Sequence, residues 1–106
     1  MDLTERLASG LLSLRGVEER KSTFGPQTAF FVAGREFAHV HRDGEIDLRL
    51  TRTLIAGRRD GLEDDSRVSM RRNSDWLTVS FSSAGDVRLV LELGRAAYDA
   101  NRSARR

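Results

Sequence analysis

The chain contains no cysteine, one proline, one lysine and two histidines among its 106 residues. Without cysteine it can form neither a disulfide nor a thiolate metal site, which is typical of proteins in a reducing compartment. No stretch approaches the roughly 18 apolar residues of a membrane span. Met1–Arg15 lacks the basic start and apolar run of a signal peptide. We therefore expect a cytoplasmic protein that does not enter a membrane.

The chain also has little excess of one sign of charge over the other. The 18 basic and 16 acidic residues leave a net charge of +2, and all but one of the basic residues are arginine. The arginines cluster only at 58–59, at 71–72 and in the tail at 102–106. A nucleic-acid-binding face needs stronger clustering, with exposed aromatic residues between the charges. Nucleic-acid binding is therefore the least favoured function class.

Three segments have the periodicity of helices. Asp2 and Glu5 are spaced as a capping box for the first helix. Thr51 can cap a short helix over 52–58, and Ser83 can cap a long final helix. Between these segments, alternating apolar and polar residues bounded by turn-forming residues predict strands joined as hairpins.

The predicted order of elements is α-β-β-β-β-α-β-β-α in a single domain, 1–106. Antiparallel hairpins with helices on one face form a two-layer α+β sandwich, here with a sheet of about five or six strands. Gly94 lies on the apolar stripe of the final helix, so we expect it close to the sheet. The basic tail at 101–106 is expected to fray.

The two histidines, His39 and His41, stand two residues apart in a predicted strand that runs into Asp43-Gly44. Residues i and i+2 of a strand project from the same face, so the two imidazoles should lie side by side. Histidine titrates near physiological pH and is a common metal ligand. The pair is therefore the strongest candidate for a chemical site.

The hairpin at Asp43-Gly44 can close in two registers. A two-residue turn pairs His41 with Ile46 and turns both histidines toward the core. A three-residue loop pairs His41 with Glu45 and His39 with Asp47, and turns the histidines to the opposite, open face. A slip of one residue exchanges the two faces. We favour the second register because it separates the apolar from the polar side chains of both strands.

The favoured register defines the candidate site. His39, His41 and Asp47 are the candidate catalytic residues, because a carboxylate bonded to an imidazole raises its pKa and holds it for acid–base work. The same three residues are a candidate two-histidine, one-carboxylate set for zinc or iron. The residues expected to bind a ligand on the open face are Phe37, Arg49, Trp76 and Thr78.

The stretch Gly34–Leu48, the strand 76–81 and the helix 86–98 resemble the small luciferase-like domain family of bacterial proteins. This family is named for its similarity to part of the fungal luciferase that oxidises 3-hydroxyhispidin. The centre of the resemblance is the segment Ala38-His-Val-His-Arg-Asp-Gly44, and the resemblance covers about residues 17–102. It implies an α+β domain unrelated to the flavin-dependent bacterial luciferases, which are much larger barrels.

This chain departs from the longer relatives at two places. They often carry another histidine after Asp-Gly, where this chain has Asp47. They also tend to have an acid-His segment after the short helix, where Ala56–Gly61 contains no histidine. These departures count against the light-emitting oxygenase chemistry of the fungal enzyme in this chain.

Three function classes remain, and the choice between an enzyme and a binding protein stays open. The favoured class is a domain that binds, or also transforms, a small molecule on the open sheet face around His39 and His41. The alternative is a non-catalytic interaction module, for example a homodimer, and weak nucleic-acid binding ranks third. The sequence does not identify a cofactor.

Overall fold

A computed structural model describes residues 1–103 of the chain. Within that part, four helices and six strands follow one another. They are α1 (Leu3–Leu12), β1 (Glu18–Lys21), β2 (Thr28–Val32), β3 (Arg35–Arg42), β4 (Glu45–Arg49), α2 (Arg52–Gly57), α3 (Arg59–Glu63), β5 (Val68–Met70), β6 (Trp76–Ser80) and α4 (Ala84–Ser103). None of these helices combines the length and the apolar character that crossing a membrane requires.

The six strands form one antiparallel sheet in the order β1-β2-β3-β4-β6-β5. Helices α1 and α4 pack together, and α4 lies across β2, β3 and β4. The core between α4 and the sheet contains the fully buried side chains of Ile46, Leu48, Leu77, Val79 and Val90. The predicted α+β architecture, with helices against one face of an antiparallel sheet, is confirmed.

Helix α1 begins with the predicted capping box. The Asp2 carboxylate accepts a hydrogen bond from the Glu5 amide at 2.8 Å, and the Glu5 carboxylate accepts one from the Asp2 amide at 2.9 Å. At the α1–α4 contact, a Cβ atom on Gly94 would lie 3.0 Å from Leu11 Cδ2. Gly94 therefore allows α4 to approach α1. The structure places this close approach at α1, and not at the sheet as predicted.

The segment after Thr51 forms two short helices. Thr51 Oγ1 accepts from the Leu54 amide at 3.4 Å and caps α2 as predicted. Helix α3 follows α2 directly and carries Leu62 into the core. Leu62 is the buried residue of α3, and a single apolar position gives no helical periodicity from which this second helix could be predicted.

Helix α4 continues to Ser103, so the fraying expected from Asn101 does not begin there. The Asn101 side chain is buried, and its amide donates to the carbonyl oxygens of Arg49 at 2.9 Å and Ala97 at 2.7 Å. These bonds tie the last turn of α4 to the end of β4. The remainder of the predicted frayed tail, 104–106, lies outside the described residues.

A β-bulge between β2 and β3 changes which side chains face the helices. Phe30 pairs with Ala38 but Phe31 pairs with Glu36, so Phe37 has no partner across the ladder. Phe37 and Ala38 both point into the core, and the Phe37 ring packs on Tyr98 of α4 with centroids 6.0 Å apart. The prediction that Phe37 binds a ligand on the open face is therefore wrong, because an inserted residue resets the alternation of a strand.

The β3–β4 hairpin combines features of both predicted registers. At the turn, Arg42 pairs with Glu45, and the predicted pairing of His41 with Glu45 is wrong. A register shift between Val40 and Arg42 absorbs one residue, so that His39 pairs with Asp47 as predicted. The two histidines consequently lie on the face opposite the helices.

Candidate functional site

His39 is held between two carboxylates on the face opposite the helices. Its Nδ1 lies 2.9 Å from Glu36 Oε2, and its Nε2 lies 2.9 Å from Asp47 Oδ2. All three residues are buried, with His39 only 8% exposed. Only a protonated imidazole can donate from both ring nitrogens. The three side chains therefore form a buried ion triad, Glu36–His39–Asp47.

The pKa values follow from this geometry. Burial lowers the pKa of His39, but the hydrogen bond and charge of Asp47, followed by those of Glu36, outweigh burial and raise the pKa above its ordinary 6.5. Burial raises the pKa of Glu36, but hydrogen bonds from Ser22, Thr23 and His39 bring it below its ordinary value. The shifts of both groups favour the charged forms, as the two hydrogen bonds to the ring nitrogens do.

Asp47 connects the triad to the neighbouring strands. Burial raises its pKa, but hydrogen bonds from His39 and Thr78, with the charges of both histidines, lower the pKa overall. The Thr78 hydroxyl donates to Asp47 Oδ1 at 2.6 Å and accepts from the Arg71 guanidinium at 3.0 Å. Arg71 Nη2 itself lies 3.7 Å from Asp47. The carboxylate is therefore fixed from three directions.

His41 is the exposed histidine, with about a third of its side chain accessible to solvent. Its Nδ1 lies 3.3 Å from Asp47 Oδ2, and its Nε2 lies 3.3 Å from an Arg42 guanidinium nitrogen. Glu45 Oε1 also lies 3.8 Å from Nε2. Asp47 therefore lies beside the Nδ1 edge of the His41 ring, and Nε2 is directed away from it.

The loop between β1 and β2, residues 22–27, folds over the triad. Glu36 accepts three hydrogen bonds from it, from Ser22 Oγ at 2.7 Å and from the amide and hydroxyl of Thr23 at 2.8 Å each. The Phe24 ring lies 5.7 Å from the ring of His39 and 5.7 Å from that of Trp76, centroid to centroid. One buried carboxylate therefore anchors the loop that holds an aromatic ring over the sheet.

A depression of about 310 Å³ opens beside this loop. Its wall comes from the 22–27 loop, from β3, β4 and β6, and from the β5–β6 turn. The lining residues are Phe24, Gln27, His39, His41, Asp47, Arg71, Ser74 and Trp76. Phe24 remains 67% exposed at its rim.

The structure brings together some of the predicted site residues and separates others. His39, His41, Asp47 and Trp76 all line the depression, with the Trp76 and His39 rings 4.9 Å apart. Thr78 lies behind Asp47 and holds it. Arg49 lies at the end of β4, where it donates to Asp75 at 3.3 Å and Asn101 at 3.2 Å. Arg49 borders a second depression on the other side of Phe24 and Trp76.

Sequence reasoning missed Glu36 and the lining residues of the loop and turn. Glu36 reaches the site only because of the bulge at Phe37. Phe24 and Gln27 lie in a loop, where no periodicity indicates which way a side chain points. The signal present in the sequence was the pair Ser22-Thr23 ahead of Phe24, since short hydroxyl side chains commonly anchor loops by hydrogen bonds.

The predicted metal set does not fit this arrangement. Both ring nitrogens of His39 are directed at carboxylates, so neither offers a lone pair to a metal ion. In the part of the chain that the structure describes, no group of three or more histidine and carboxylate side chains is arranged to hold a metal. The ring nitrogens of His39 and the carboxylates of Glu36 and Asp47 are hydrogen-bonded to one another instead.

Comparison with known proteins gives the family. A family model for the luciferase domain matches residues 34–97, more than half of the chain. The chain belongs to the luciferase domain family. The matched stretch runs from the β2–β3 turn into α4 and includes His39, His41, Asp47 and Trp76, whereas the 22–27 loop lies outside it. No curated protein matches the chain.

Proposed function

We propose that this luciferase-domain protein binds a small planar molecule in the depression between the 22–27 loop and Trp76. The observation that carries the proposal is the convergence of two aromatic rings and one accessible imidazole on a single depression. Phe24 and Trp76 meet edge to face at 5.7 Å, and the His39 ring packs against both of them. His41 faces the same space.

The size and polarity of the depression support a small ligand. Its volume of about 310 Å³ is at the lower end of the range for small-molecule sites, about 300–1,000 Å³. Such sites combine apolar walls with a few fixed polar groups. Here Thr78 donates to Asp47, Arg71 donates to Thr78, and His41 Nδ1 lies 3.3 Å from Asp47 Oδ2. The polar groups would therefore need little reorganisation on binding.

The experiment is a titration of ¹⁵N-labelled protein with a library of planar aromatic fragments. Trp76 is the only tryptophan, so its indole N–H gives a single cross-peak from the centre of the site. We expect some fragments to shift this peak saturably, and the shift to weaken severalfold in Phe24→Ala. Leu12→Ala, which removes another exposed apolar side chain, on α1, is the matched control and should bind as wild type does.

The proposal fails if no fragment moves the Trp76 peak, or if Phe24→Ala and Leu12→Ala bind alike. Homodimer formation, weak nucleic-acid binding and a cytoplasmic location stay predictions. Sedimentation velocity, salt-dependent binding of single-stranded oligonucleotides and cell fractionation test them in turn.

A further inference from the structure

Arg71 presents a cation to the depression, with 47% of its side chain exposed. Within residues 1–103, its two polar contacts both use Nη2, which donates to Thr78 Oγ1 at 3.0 Å and lies 3.7 Å from Asp47 Oδ1. Nε and Nη1 have no acceptor in that part of the chain. A guanidinium carries five donors in a planar fork. One end of Arg71 is therefore fixed to the sheet, and the other has donors to offer a ligand.

The carboxylates beside the depression leave this positive charge available. Asp47 is only 5% exposed, and His39 and Thr78 hold it through hydrogen bonds at 2.9 and 2.6 Å. Glu36 is buried on the other side of the His39 ring, 2.9 Å from it. The separation of Arg71 from Asp47 is longer than a hydrogen bond. Among the described lining residues, the guanidinium is therefore the permanently charged cation that is open to the depression.

Ser74 supplies a second donor to the same space. Its Oγ accepts a hydrogen bond from the Trp76 amide at 3.0 Å, and its hydroxyl hydrogen donates to no group within residues 1–103. Arg71 and Ser74 both belong to the turn between β5 and β6, and both line the depression with Trp76. A ring packed against Trp76 would thus carry its substituent beside two hydrogen-bond donors.

We infer that the ligand is an aromatic carboxylate, whose ring packs against Trp76 and whose two oxygens accept hydrogen bonds from Arg71 and Ser74. This inference rests on the proposed function and assigns the chemical class of the molecule bound there. The planar fork of a guanidinium matches the two oxygens of a carboxylate. A single guanidinium balances a monoanion, which favours a carboxylate over a dianionic phosphate.

The first test compares naphthalene-2-carboxylate with 2-naphthamide, which have nearly the same shape and differ in charge. Titrations followed at the Trp76 indole peak should show the carboxylate binding wild type about tenfold more tightly, the low end for a charge-assisted hydrogen bond because Arg71 is half exposed. Arg71→Gln should bind the two probes alike. Arg72→Gln removes the same charge from the adjacent position, which does not line the depression, and should keep the preference.

The second test needs no substitution. Salt screens the attraction between a partly exposed guanidinium and an anion. The preference of wild type for the carboxylate should therefore fall severalfold when NaCl is raised from about 0.05 M to about 0.5 M, where the Debye length is only a few ångströms. Binding of 2-naphthamide should change little. A preference that salt does not reduce would show that charge is not its cause, and would overturn the inference.

The remaining outcomes also decide the inference. Equal binding of the two probes by wild type overturns it, as does a preference that persists in Arg71→Gln or is lost equally in Arg72→Gln. If the amide or other neutral fragments bind and the carboxylate binds no more tightly, the inference fails and the proposed function stands. If no fragment binds at all, both fail.

The position of the bound carboxylate is checked at backbone amides. We expect its binding to shift the amide peak of Ser74. Shifts confined to Thr4 and Ala8, in a groove beside α1, would place the carboxylate elsewhere and overturn the inference. Shifts of Gly34 without Ser74 would do the same, because Gly34 borders the second depression beside Arg49.

Discussion

Nε2 of His39 and Oδ2 of Asp47 face each other 2.9 Å apart across the β3–β4 ladder. The two residues pair directly in the register, so the backbone itself brings the ring to the carboxylate. Glu36 completes the contact from the other side of the ring at 2.9 Å. This arrangement makes His39 a fixed part of the sheet and leaves His41 as the accessible imidazole.

Removal of His39 should destabilise the fold strongly. His39→Ala leaves two buried carboxylates without their shared counter-charge, and breaking a buried ion pair in this way costs about 3–5 kcal/mol. His41→Ala, which removes a partly exposed imidazole two residues away, should cost less than about 1 kcal/mol. Urea unfolding at pH 6 measures both, and similar costs for the two variants would refute the assignment of the triad.

The triad should also give the stability a defined pH dependence. The pKa of His39 is raised, so its contribution is complete below the ordinary value of 6.5 and is lost as the pH rises through the folded-state pKa. The pKa values of Glu36 and Asp47 are lowered from 4.5 and 3.8, so their contribution is lost as the pH falls through the folded-state values. The triad therefore contributes most between about pH 4.5 and 6.5.

Urea midpoints recorded from pH 4 to pH 9 check this dependence. His39→Gln, which cannot be charged, should lose the fall in stability above pH 6.5, whereas His41→Gln should keep it. A wild-type curve that is flat above pH 6.5 would show that His39 does not gain a proton on folding.

Glu36 should control the order of the 22–27 loop. Glu36→Gln removes the charge that accepts hydrogen bonds from Ser22 and Thr23, and each such charged bond is worth about 1.5–3 kcal/mol. Hydrogen exchange at the Thr23 amide should therefore accelerate by about tenfold or more. Glu63→Gln, in an exposed position on α3, is the control and should leave the loop unchanged. Unaltered exchange at Thr23 would mean that other contacts hold the loop.

Metal removal should have no effect on stability. Because His39 directs both nitrogens at carboxylates, a metal could displace these bonds only by breaking the triad. We expect the same Tm in EDTA as in Zn²⁺, for wild type and for His41→Ala. A Tm that rises with Zn²⁺ in wild type alone would restore the predicted set of His39, His41 and Asp47.

The sequence predicted the parts of the site that depend on periodicity. His39 and Asp47 were assigned to one face because the opposite faces of both strands are apolar, and burial imposes that separation. Phe37 was placed wrongly because a bulge inserts one residue without any signal in the alternation of apolar and polar types. Glu36 was missed for the same reason.

The position of the 22–27 loop could not be predicted from periodicity. The position of Phe24 over His39 depends on hydrogen bonds between Glu36 and residues 13 and 14 positions earlier in the chain. Such contacts follow from the folded sheet and leave no periodic pattern.

The most direct test of the proposed function is the measurement of intermolecular NOEs between a bound planar fragment and the protein. We expect NOEs from the fragment to the rings of Phe24, His41 and Trp76. NOEs only to Thr4 and Ala8 beside α1, or none at all at saturating fragment, would contradict the account.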